Sequence, residues 1–111
     1  MATTYKRLGA AAGNGTIATA STLYTVPAAT ATVISTIVIC NTSGTAGTFS
    51  ISGSTTTSFI GGQEIVSAAA IAGNDTIGLT FGMTLDATNK YLLVSSSAAT
   101  IMFSVFGSEI A

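Results

Sequence analysis

The chain has 111 residues with three Lys or Arg, four Asp or Glu and no His, a formal net charge of -1 and 48% hydrophobic residues. One domain fits this length, and a charged fraction of 6%, against about 25% in an average soluble domain, excludes intrinsic disorder and leaves no cationic face for nucleic acid. The single Cys40 and the missing His exclude a disulfide scaffold and a transition-metal ligand set, so no metal and no cofactor are expected.

The opening, Met1 to Leu8, is followed by Gly9-Ala10-Ala11-Ala12-Gly13-Asn14-Gly15, which is no apolar run of the kind a secretion signal needs. Residues 1–20 read as an N-terminal arm, either extended over a neighbouring subunit or pairing along a sheet edge. The remaining residues, 21–111, read as one β domain. Thr22 to Val26 forms a strand closed by Pro27. Ala31 to Asn41 is rich in β-branched residues. Period-2 alternation sets Val33, Ser35, Ile37 and Ile39 on one face and Ile34, Thr36, Val38 and Cys40 on the other. Both faces are largely apolar, which places this strand between a core and a second layer or a neighbouring subunit.

Thr48 to Ser52 alternates, with Phe49 and Ile51 inward and the hydroxyls outward. Gly53 to Gly62 reads as a loop, and the alanines before Ile71 suit a strand or a short helical turn. Gly73-Asn74-Asp75 turns into a strand with Ile77, Leu79 and Phe81 on one face. Its other face holds Gly78, Thr80 and Gly82, small enough to admit another backbone or sheet. Asp86 to Lys90 turns into Tyr91 to Val94, and Thr100 to Phe106 sets Ile101, Phe103 and Val105 opposite Met102, Ser104 and Phe106. About seven or eight short strands without an amphipathic helix predict a single antiparallel β-sandwich, immunoglobulin-like or jelly-roll-like. No apolar run reaches the roughly 18 residues of a membrane helix.

Chemistry is sparse. Glu64, Asp75, Asp86 and Glu109 would have to converge in pairs to hydrolyse a glycoside, yet Asp75 and Asp86 stand where Asx side chains bond the local backbone. Cys40 has no His to activate it and reads as an inert core residue. The sequons at Asn14, Asn41 and Asn74 are what a Thr- and Ser-rich chain carries by chance. With no Trp and three Tyr, stacking platforms for sugars are few. No enzyme activity is expected. Tyr5, Lys6, Arg7 and Leu8 are the candidate partner-binding residues: a basic pair reaching acidic groups on a partner, with Tyr5 burying on its surface.

Several stretches carry a family resemblance: Met1 to Lys6, Leu23-Tyr24-Thr25-Val26-Pro27-Ala28, Val33 to Asn41, Ala72 to Thr76 and Phe103 to Ile110. On these the chain resembles small β-sandwich structural proteins of tailed phages, especially cyanophages. The resemblance implies a virion component, assembled in the host cytoplasm, and leaves open capsid decoration or cement against a tail, baseplate or fibre module. A cement protein must bury surface on the major capsid protein and on copies of itself, around a symmetry axis. A near-neutral, Thr-, Val- and Ile-rich sheet suits that task, because neighbouring copies make modest single-site affinities sufficient. The expected function is therefore a homo-oligomeric capsid decoration or cement protein, with tail proteins as the alternative partners.

Overall fold

The computed structural model describes residues 3–59 and 64–110, less the side chain of Phe81. Among the described residues stand eight strands: β1 (Thr3–Ala12), β2 (Ser21–Thr25), β3 (Ala31–Asn41), β4 (Gly47–Ser54), β5 (Glu64–Ile71), β6 (Thr76–Leu85), β7 (Tyr91–Ser96) and β8 (Ile101–Ile110). They form two antiparallel sheets, ordered β1-β8-β3-β6 and β2-β7-β4-β5. The pairs β1·β8, β2·β7, β3·β6 and β4·β5 are the rungs of one long hairpin in which the second half of the chain runs back along the first. Wrapping that hairpin puts alternate rungs in opposite sheets and adds the contacts β8·β3 and β7·β4. This is the jelly-roll topology, and it decides between the two connectivities that strand spacing left open.

The core is what alternation demands. Ile37 and Ile39 of β3, Ile101, Phe103 and Val105 of β8, Phe49 and Ile51 of β4, and Leu92 and Val94 of β7 are buried between the sheets. Phe49 and Phe103 meet edge to face across the layers, centroids 6.4 Å apart at 69°, a geometry worth about 1 kcal/mol beyond area burial.

Strict alternation fails in β3. Ile34 pairs with Gly107 and the next paired residue is Thr36 with Phe106, so Ser35 is an extra residue and the phase of the strand flips there. Thr32 and Ile34 face the core before the irregularity, and Ile37, Ile39 and Asn41 face it afterwards. The outward set becomes Val33, Thr36, Val38 and Cys40. Cys40 is consequently a free, half-buried thiol on the outer face, which corrects the core placement expected for it. Gly107 lies opposite this site, and a Cβ on it would come 2.1 Å from the Val33 carbonyl oxygen.

Two further segments resolve alternatives that the sequence left open, and one differs from expectation. Residues 3–12 of the stretch read as an arm are the edge strand β1, paired with β8 from Thr3↔Ile110 to Ala12↔Met102. The alanine stretch is one strand, β5, interrupted between Val66 and Ala69 where Ser67 and Ala68 have no paired residue. There Ala68 takes a positive φ of 47°, and its N–H donates to Ser50 Oγ at 2.8 Å. Gly53 and Ser54, expected in a loop, end β4; residues 60–63 of that loop lie outside the described residues.

Candidate functional site

The four candidate residues share β1 but not a common surface. Tyr5 is 64% exposed and stands 3.3 Å, hydroxyl to hydroxyl, from Ser35 on β3. Arg7 is exposed. Leu8 is half-buried and packs against the core, so it is not free for a partner. Lys6 is already engaged: its Nζ lies 2.9 Å from Glu109 Oε1 on β8.

That ion pair belongs to a longer chain of contacts. Tyr24 of β2 donates its hydroxyl proton to Glu109 Oε2 at 2.5 Å. Its single proton being spent there, the Tyr24 oxygen accepts from Thr32 Oγ1 of β3 at 2.8 Å. Four strands from both sheets are thus joined at one end of the sandwich. Burial, then the hydrogen bond to Glu109, pushes the Tyr24 phenol up to about 12. The hydrogen bond from Tyr24, then that from Lys6, holds the Glu109 carboxyl below the usual carboxylate range. Two of the four acids considered for catalysis sit in turns. Asp86 accepts from the Thr88 and Asn89 N–H groups, both at 2.9 Å, which lowers its carboxyl; Asp75 accepts from Thr76 N–H at 2.9 Å. Glu64 is exposed at the start of β5. Asn41 is buried, with its amide donating to the Thr45 and Ala72 carbonyls at 2.8 and 3.3 Å, so its sequon serves loop anchoring. Among the described residues no group of His, Cys, Asp or Glu is placed to hold a metal ion, and no helix is long and apolar enough to cross a membrane.

The two outer faces of the sandwich differ. On the β2-β7-β4-β5 sheet, Ser52, Leu93 and Ser95 point away from the core and are nevertheless fully buried. Part of the cover is the segment before β2, since Ser95 Oγ donates to the Ile17 carbonyl at 2.7 Å. On the β1-β8-β3-β6 sheet the outward residues form four rows across the strands: Tyr5-Ser108-Val33-Thr84, Arg7-Phe106-Thr36-Thr80, Ala10-Ser104-Val38-Gly78 and Ala12-Met102-Cys40-Thr76. Arg7, at the rim, is the one charge in these rows. Met102 is 37% exposed, and Val33, Val38, Cys40 and Phe106 are half-buried by their neighbours in the sheet. A hollow of about 310 Å³ between the β5 and β6 edges is lined by Gly53, Ile65, Met83, Thr84, Leu85 and Asn89, which place no acid or base beside the Thr84 hydroxyl.

The rows were not legible as a surface, because the phase change at Ser35 decides which half of β3 they contain. The Lys6–Glu109 pair joins residues at opposite ends of the sequence, and no local pattern announces it. The chain matches no protein-family model and no curated protein.

Proposed function

We propose that the protein is a non-catalytic structural subunit of a tailed-phage particle, acting as a decoration or cement protein on the capsid shell. Jelly rolls serve as viral capsid domains, lectins and cupins, so the fold by itself does not choose among roles. Residue chemistry supports the structural role. A cupin-type metal centre has no His to draw on, and a lectin-type site has no Trp.

The observation that carries the reading is the broad outer face of the β1-β8-β3-β6 sheet, which holds a single charge at its rim. A surface this poor in ions costs little to desolvate against a protein partner. Multivalent attachment to a symmetric lattice then makes weak individual contacts sufficient. Arg7 and Tyr5 on the rim remain the residues of β1 able to reach a shell protein, whereas Lys6 is held by Glu109.

Quantitative protein analysis of purified particles tests this. Copies in proportion to the major capsid protein are the expected result. The small fixed number typical of a tail component would move the protein to the alternative site, and absence from particles would overturn the reading.

A further inference from the structure

We infer that the outer face of the β1-β8-β3-β6 sheet is a homodimer interface, packed against the same face of a second copy of this chain. This deepens the preceding reading and rests on its premise that this face is desolvated against a protein partner, naming that partner as a second copy.

Gly78 gives the first argument. It sits inside β6, in the row with Val38 and Ser104. A Cβ added to it would meet nothing within 4 Å, and its φ is not positive. Neither its conformation nor the packing of its own chain requires glycine, which costs a strand interior about 0.5–1 kcal/mol relative to alanine. Close approach of another backbone or of a ligand is the remaining physical reason for a glycine in a strand, and the space it would fill is outside the subunit.

Area and charge select the occupant. Four strands about 4.8 Å apart and roughly ten residues long present about 600 Å² in projection. That is near the roughly 800 Å² a stable interface takes from each partner, before the rims contribute. A face-to-face pair is isologous, so the surface must complement itself. A field of Val, Ala, Ser, Thr and Gly does so, since it brings no like charges together at its centre. Arg7, on the edge strand, keeps its guanidinium at the wetted rim. An acidic or basic partner would need opposite charges that this face does not offer.

The test is sedimentation equilibrium of the full chain at tens of micromolar, together with the variants Gly78→Lys and Met102→Lys and maleimide labelling of Cys40. Gly78→Lys enters open space, so the subunit keeps its fold, read by circular dichroism. The expected result is a wild-type mass twice that of the 11.0 kDa chain, single-chain mass for both variants, and Cys40 labelling at least about tenfold faster in them, because either lysine would bury an unpaired charge in an interface that offers it no partner. A monomeric wild type, or a dimer that survives both substitutions with Cys40 equally reactive, overturns the inference. Particle binding is scored separately with wild-type protein: a dimer that ignores particles removes the virion role and leaves the interface standing, while a particle-bound monomer does the reverse.

Discussion

Tyr24 and Glu109, 85 positions apart, meet at 2.5 Å between a phenol and a carboxylate, and through them β2 of one sheet is tied to β8 of the other. Hydrogen bonds to a charged group contribute about 1.5–3 kcal/mol. Tyr24→Phe keeps the buried ring, removes the hydroxyl and leaves Thr32 without its partner, so a loss of about 2 kcal/mol is expected. Lys6→Met removes only the half-exposed end of the chain of contacts and should cost under about 1 kcal/mol. Urea denaturation of both variants checks the ranking, and equal effects would show that the phenol is not the main link.

The same pair sets the pH profile. The Glu109 carboxyl is depressed in the folded protein; its stabilisation is present above the unfolded carboxylate range and is lost as pH falls through the folded value. The Tyr24 phenol is raised from 10.0 to about 12. Below 10 both states keep that proton, so the contribution is fully present. Between 10 and about 12 the unfolded chain ionises first and stability falls. Melting temperatures should therefore decline at both ends. Tyr24→Phe should flatten the decline above pH 10, and Glu109→Gln the one in acid. An unchanged alkaline limb in Tyr24→Phe would assign that decline to other groups.

Gly107→Ala should be the most damaging single methyl in the fold's central pair, because the added Cβ would lie 2.1 Å from the Val33 carbonyl oxygen and backbone must move. Overpacking of this kind costs about 1–3 kcal/mol, and each kcal/mol lowers the melting temperature of a domain this size by about 4–8 °C. A calorimetric shift well below about 4 °C would mean that β3 and β8 separate more easily at this point than their register implies.

Sequence periodicity located most strands and separated the two faces of β4 and β8, because alternation is a local signal that survives tertiary context. It misassigned half of β3 because Ile34-Ser35-Thr36-Ile37 reads equally well in either phase, and only pairing with β8 inserts the extra residue. For a related reason the sequence leaves β1 open between an arm on a neighbour and a strand at a sheet edge. Its alanines have weak strand preference, and what holds Thr3–Ala12 extended is β8, at the other end of the chain. Of the four residues singled out there, Tyr5 and Arg7 remain outward while Lys6 and Leu8 turn to partners within the chain, a division set by the pleat.

All four edge strands carry an irregularity in their pairing: β1 between Arg7 and Gly9, β2 between Thr22 and Tyr24, β5 beside Phe49 and Ile51, and β6 opposite Ile34 and Thr36. Kinked margins do not template the addition of further strands. For a polypeptide with so little electrostatic repulsion between molecules, that geometry replaces charge as the safeguard against fibril growth, and it lets many molecules be crowded together without zipping edge to edge.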